Sequence, residues 1–361
     1  MDGLTPGITV DEDRIGYMLK KRRPYGSIST GRVEQDPYEI VSGVFQGKTT
    51  GTPLCFLIPN QQQDSTVYEE NRGPARPGHA DYTAFMKYHG FEDFRGGGHF
   101  SGRLTAALTA AGALVMSALE EKGIYIGTHI KKLGQVEDRN FQEVCIHEEE
   151  NAQQTPEKTD IFEALKEDIA YLYSQRFPVL DKKKAALMQE EILKAKEALD
   201  SVGGILETAV CGLPAGLGEP WFDTAEGVLS QALFSIPGVK GVEFGDAFAL
   251  SSGYGSEYND RFVQINGQTL TKTNRNGGVN GGIMNGMPVV FRTAVKPTPT
   301  IGKAQETVDF IKEENTVISG KGRHDPAIIH RAAVVQDAVT ALVIYDMMAV
   351  RYGTDWAGDL C

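Results

Sequence analysis

Cysteine is scarce in this chain. Four occur in 361 residues (Cys55, Cys145, Cys211 and Cys361), and no two form a C-x-x-C pair. That spacing excludes a cysteine zinc site and a disulfide framework. It points to reduced thiols and a cytoplasmic setting. Positive charge is also short: 36 Lys and Arg stand against 48 Asp and Glu, a net charge of −12. A general nucleic-acid binder carries the opposite balance. Seven His are present, but none has metal-ligand spacing. No G-x-x-x-x-G-K-[ST] occurs, so a P-loop is unsupported, and no G-x-S-x-G marks a serine nucleophile. The longest apolar run, 105–119, is shorter than a bilayer span, and no signal-peptide pattern opens the chain. What remains is ordinary globular composition, 41% hydrophobic and 23% charged.

Against that acidic background, two cation-bearing segments stand out. One is Arg76-Pro77-Gly78-His79-Ala80-Asp81, and the other is Lys321-Gly322-Arg323-His324-Asp325-Pro326. Arg matches phosphate and carboxylate geometry. His moves protons near neutral pH. An anion clamp built twice, each copy with a proton carrier, suggests an enzyme acting on a small, multiply charged anion. His79 and His324 are the proton carriers to test first. His89, His129, His147 and His330 lack such company and read as structural or surface residues.

An internal echo organises the chain. The run 43–54 aligns without gaps on 278–289, both in the frame G-V-x-x-G-x-x-x-G-x-P. Asp2-Gly3-Leu4-Thr5-Pro6-Gly7-Ile8 resembles Cys211-Gly212-Leu213-Pro214-Ala215-Gly216-Leu217, and each precedes an expected helix (11–21 and 224–235). An Ala-rich helix follows each clamp, over 103–119 and 331–348. Four matched elements in one order suggest one domain of two similar halves, about 1–122 and 205–361, with an inserted helical and polar region between them at about 123–204. Short Gly-punctuated strands grouped with long helices make the expected class α+β.

Three further segments could hold an anion. Lys20-Lys21-Arg22-Arg23 ends the first helix, where the helix dipole alone would favour cations. Arg95-Gly96-Gly97-Gly98-His99-Phe100-Ser101-Gly102-Arg103 leads into a helix whose first N–H groups are open to a phosphate or cofactor. Lys296-Pro297-Thr298-Pro299-Thr300 offers an ammonium and two hydroxyls on a stiff loop.

These stretches, with SGVFQGKTTGTP, RPGHADYT, GLPAGLGEPWFD, IPGVKGVEFGDAF, GGVNGGI, KPTPTI and KGRHDP, resemble the chorismate synthase family. The resemblance covers most of 1–125 and 202–350. It implies a β-α-β sandwich of antiparallel sheets and helices with an internal pseudo-two-fold repeat, assembled as a homotetramer. It implies 1,4-elimination of phosphate from 5-enolpyruvylshikimate-3-phosphate, with reduced FMN required although nothing is oxidised overall. NADPH is one source of the flavin electrons; an outside reductant is the other. By the same resemblance Arg22, Arg76, Arg103 and Arg323 bind substrate. His79 supports reduced FMN, and Asp325 is a base near the flavin. His99, Phe100, Ser101, Pro237, Gly238, Gly281, Lys296, Pro297, Thr298, Pro299, Thr300 and Arg323 fall at flavin-contacting positions.

Three departures from the family pattern accompany the match. The family's first strand carries a Gly-Glu-Ser-His-Gly motif, whereas this sequence starts beyond it. Losing a general acid costs roughly 10²–10⁴ in rate, so a flavin-binding paralogue or an inactive fragment is the second reading. A flavin reductase using NADPH is the third. The family's Arg-Ser-Ser-Ala-Arg-Glu-Thr run is here His99-Phe100-Ser101-Gly102-Arg103-Leu104-Thr105. A further family arginine is not found near Ile28, where Arg32 is the nearest substitute.

Overall fold

The structure is a computed structural model that describes residues 1–31, 35–60, 72–141, 158–265, 267–320 and 325–358. Arg323 and His324 lie outside the described residues, as do Lys321, Gly322, Arg32 and His147.

Seven helices of eight or more residues occur among the described residues: α1 (Glu12–Arg22), α2 (Asp81–Tyr88), α3 (Thr105–Glu121), α4 (Lys158–Ser174), α5 (Lys182–Glu197), α6 (Ala225–Leu233) and α7 (Ile329–Tyr352). Local chemistry starts several of them. Asp11 caps α1 by accepting from Arg14 N–H, Thr224 caps α6 through Gly227 N–H, and Asp181 caps α5 through Lys183 N–H.

One five-stranded sheet carries the core. Its strands are β1 (Tyr125–Leu133), β2 (Val136–Glu137), β3 (Gly204–Cys211), β4 (Val239–Phe244) and β5 (Val289–Val295), in the spatial order β2-β1-β3-β5-β4. Every pairing is antiparallel. Helices and antiparallel sheets together make the mixed α+β class expected. Within the stretch 123–204, residues 125–133 form an inner strand of this sheet. That strand shows no clean alternation because both of its faces are covered. α7 packs on one face, while Leu165, Ile169 and Leu172 of α4 pack on the other against Ala209 and Cys211 of β3.

α3 and α7 cross in close contact. A Cβ placed on Gly112 would lie 2.4 Å from both Cα and Cβ of Ala338. Gly102–Glu121 and Ile329–Tyr352 are long and apolar enough to cross a bilayer, but 67% and 72% of their apolar windows are buried inside the protein. They are core helices here. Gly112→Val has no room beside Ala338, and overpacking of this kind costs about 1–3 kcal/mol. The expected result is a melting temperature several degrees lower; an unchanged melting curve would mean that the helices do not meet there.

The sequence echo is carried into backbone geometry. Gly43, Gly47 and Gly51 have φ of +84°, +72° and +81°; Gly278, Gly282 and Gly286 have +82°, +85° and +90°. Only glycine takes such angles without a steric cost. Hydrogen bonds repeat as well. Gly7 N–H donates to Thr49 O and Gly216 N–H to Met284 O, each 2.8 Å; Thr49 N–H donates to Ile8 O (2.9 Å) and Met284 N–H to Leu217 O (2.8 Å). The two echoes end differently. β5 is bonded on both sides, whereas among the described residues its counterpart Cys55–Leu57 is bonded only to Glu39–Ser42. Val41 and Leu57 there are about half exposed, at 51% and 53%.

Candidate active site

The first clamp is a compact ion cluster at the start of α2. Arg76 holds Asp81 through Nε (2.8 Å) and Nη2 (2.6 Å), and its backbone N–H adds a third bond at 2.9 Å. His79 Nδ1 lies 3.0 Å from Asp81 Oδ1 and 3.1 Å from Arg76 Nη2. Burial alone would raise the Asp81 carboxyl; the hydrogen bonds from Arg76 and His79 outweigh it and hold the group well below the usual carboxylate range. An ionised Asp81 accepts a hydrogen bond from Nδ1–H of His79. That arrangement leaves Nε2 of His79 as the nitrogen able to exchange one.

The clamp touches the 296–300 segment through Lys296, whose ammonium donates to Gly78 O. A Cβ on Gly78 would meet Pro299 at 3.6 Å, so the chain passes closely over the 296–300 segment. Lys296 N–H in turn donates to Gly238 O (2.9 Å). Ser201 Oγ donates to Thr298 O (2.7 Å), and Val202 N–H donates to Pro326 O (2.9 Å). The 201–203 turn therefore lies between the proline-rich segment and the start of the Asp325 loop.

Asp325 is held from two sides. Its Oδ1 accepts from Thr30 N–H (2.9 Å) and its Oδ2 from Arg331 Nη1 (2.8 Å). Arg331 also donates through Nε to Arg22 O (2.8 Å). Arg22 is buried, 2% exposed, and its guanidinium faces the chain. Nε donates to Thr105 Oγ1, Nη1 to Asp36 Oδ2, and Nη2 to Gly102 O and Arg103 O. The side chain shapes the turn that starts α3, which is a different post from a guanidinium open to substrate. Beside it, Lys21 is also buried, and its ammonium donates to Leu172 O and Tyr173 O.

The glycine-rich run forms two short 3₁₀ turns, Arg95–Phe100 and Gly102–Leu104, with Ser101 Oγ accepting from Arg103 N–H. His99 and Phe100 are exposed, and Ser101 and Arg103 half-buried. The N-termini of α3 and α7 both reach Arg22, one through Thr105 and the other through Arg331. Their dipoles add positive potential at one place.

His79, Arg76, Lys296–Thr300, Pro237–Gly238, Asp325, Arg22 and the 101–103 turn are thus connected. Gly281 is not. Its hairpin precedes β5 at Val289, whereas Lys296 follows β5 at Val295, so the two are about 20 Å apart along the strand. Within one chain Gly281 does not join the others. A hollow lined by Lys122, Gly212, Met348, Tyr352 and Trp356 lies at the opposite ends of α3 and α7 and holds none of these residues.

One participant, Arg331, escaped the sequence. Arg331 sits in the first turn of α7, where a cation opposes the helix dipole; that misplacement was the available signal. His330 is buried, with Nε2 2.9 Å from Ser29 Oγ, and burial followed by the nearby Arg331 and Arg176 charges pushes it down to about 3. It stays neutral and structural.

The family model described as chorismate synthase matches residues 1–349. A chorismate synthase of Thermococcus kodakarensis is 41% identical over 359 residues, 99% of this chain and 93% of its own. One from Methanosarcina barkeri is 43% identical over 351 residues, covering 96% of this chain and 89% of the relative. A solved chorismate synthase crystal structure superposes with a TM-score of 0.71 at 26% identity, covering 98% of this chain and 88% of that one.

Proposed function

The chain belongs to the chorismate synthase family, and on that premise we propose how its residues carry the family's reaction. The reaction converts 5-enolpyruvylshikimate-3-phosphate to chorismate by 1,4-elimination of phosphate, and the family uses reduced FMN. The enzyme is a carbon–oxygen lyase of the shikimate route.

One observation carries the assignment of roles: hydrogen bonds linked through short stretches of main chain join the His79 cluster, the Lys296 segment, Asp325 and the turn before α3. The substrate bears a phosphate and two carboxylates, so it needs several donors at once. Arg76, Arg103 and Arg323 supply them in this reading, helped by the two helix N-termini. Arg22 contributes by holding the 102–103 turn.

The residues present suit a flavin. Thr30 Oγ1 and Thr298 Oγ1 are buried hydroxyls with no hydrogen-bond partner among the described residues, flanking the Asp325 and Lys296 segments. Buried polar groups of this kind call for a ligand or water. Lys296–Thr300, Pro237–Gly238 and His99–Ser101 would hold FMN, with Gly281 too distant in the same chain. When bound, reduced FMN supplies a transient electron to the reacting allylic system. His79 Nε2 holds or returns a proton beside it, with Nδ1 fixed by Asp81. Asp325, held by Thr30 N–H and Arg331, accepts the proton lost from C6. The same reading takes the chain as one domain of two pseudo-two-fold halves, 1–122 and 205–361. It also takes a cytoplasmic homotetramer as the working form, by the family resemblance.

The test is anaerobic incubation with reduced FMN and 5-enolpyruvylshikimate-3-phosphate. Release of one phosphate per chorismate is expected. Flavin and substrate binding without phosphate release would overturn this account. NADPH is tested separately: its oxidation by chain and FMN without added reductase would identify it as the electron source.

A further inference from the structure

We propose that Arg331 is a positioning residue: it ties the Asp325 carboxylate to the main chain of α1 at Arg22, so that Asp325 and the first turn of α3 are held as one body. The proposal rests on the catalytic reading of Asp325 given above.

The geometry is specific. One guanidinium makes two bonds of 2.8 Å in different directions, Nη1 to Asp325 Oδ2 and Nε to Arg22 O. The carbonyl it grips belongs to a residue whose own side chain bonds Thr105, Gly102, Arg103 and Asp36. Asp325 comes from the C-terminal half and α3 from the N-terminal half, and they are distant in sequence. Arg331 joins them with one rigid group. Thr30 N–H, from the loop after α1, fixes the other carboxylate oxygen. Among the described residues each oxygen of Asp325 has one donor.

A lysine cannot reproduce this arrangement. Its ammonium is a point charge on a flexible stem, whereas arginine places several N–H groups on one plane. Arg331 also carries its charge at the end of a helix where the dipole disfavours it. The Asp325 carboxylate is what offsets that cost.

The experiment is a double-mutant cycle with an exchange measurement on the chain free of ligands. Arg331→Met is expected to lower kcat about 10²-fold while the substrate KM moves only a few-fold. Arg331→Lys should fall between Arg331→Met and the natural chain. In an Asp325→Asn background, Arg331→Met should add less than about 3-fold, because the group it positions has lost its charge. Independently of turnover, backbone amides at 28–31 should exchange faster in both Arg331→Met and Asp325→Asn. Those at 102–106 should exchange faster in Arg331→Met.

Full additivity of the two rate losses would overturn the proposal. So would exchange at 28–31 that responds to Asp325→Asn but not to Arg331→Met. An Asp325→Asn variant with undiminished turnover would instead remove the catalytic reading of Asp325. Loss of activity in Asp325→Asn with none in Arg331→Met would remove only the role of Arg331.

Discussion

His79→Ala is expected to lower kcat by roughly 10²–10⁴, the usual worth of a positioned proton carrier. The expectation follows from how the imidazole is held. Asp81 stays ionised because Arg76 and His79 donate to it, and the ionised carboxylate fixes Nδ1. Only Nε2 is then free to exchange a proton. Removing Asp81 should cost less than removing the imidazole, since the ring survives with a less certain tautomer. Asp81→Asn should therefore fall between His79→Ala and the natural chain, by about 10-fold to 100-fold. Arg76 complicates the reading, because it both braces Asp81 and offers a cation to substrate. Arg76→Lys should accordingly raise the substrate KM as well as lower kcat. The measurement is single-turnover phosphate release with flavin already reduced, so that flavin reduction does not limit the rate. If His79→Ala turns over within 3-fold of the natural chain, the cluster is an anchor for α2 and the proton carrier lies elsewhere.

How much of this was written in the sequence depends on how local each cause is. Helices α1, α5 and α6 announce themselves by a capping Asp or Thr followed by apolar spacing. The Gly-rich echo was legible because a positive φ needs glycine at the same place in both copies. The clamp around His79 was legible because Arg76, His79 and Asp81 lie within six residues.

Other features have distant causes. Arg22 looked like a cation on a helix end, yet its partners are Asp36 and the carbonyls of Gly102 and Arg103. No local pattern encodes a contact between a helix end and a turn about 80 residues later. The strand 125–133 falls inside the region expected to be an insertion, and it lacks alternation because helices cover both its faces. Gly281 matched a family motif by sequence, but a motif fixes no distance; β5 separates it from Lys296.

The largest stability loss is expected at a site remote from the chemistry. His129 on β1 is fully buried between two carboxylates, Nδ1 at 3.1 Å from Asp138 and Nε2 at 2.9 Å from Glu207. Arg292 Nε reaches Glu207 at 2.8 Å. Backbone N–H groups of Leu180 and Phe141 complete the set. The cluster fastens the segments on either side of α4 to the sheet. Burial alone would raise both acids; the bonds from His129 and the backbone outweigh it, and both sit below their ordinary values. Replacing His129 by Leu takes the imidazole partner from both Asp138 and Glu207, and Arg292 still bonds Glu207. Breaking a buried pair in this way costs about 3–5 kcal/mol, with the lower end favoured because Arg292 and the backbone bonds remain.

The pH dependence has a definite sign. An acid whose folded pKa is depressed contributes stability above its unfolded value, and that contribution is lost as pH falls through the folded one. The unfolded values are near 3.8 for Asp138 and 4.5 for Glu207. The gap between the natural chain and His129→Leu should therefore be full at pH 7 and narrow below about pH 5, where the variant's acids take up protons. Adding Asp138→Asn to His129→Leu should recover part of the loss at pH 7, because the stranded charge is gone. Urea unfolding across pH 4 to 8 reads both effects. A constant gap over that range, or no recovery in the double variant, would mean that packing around His129 rather than charge holds the segment down.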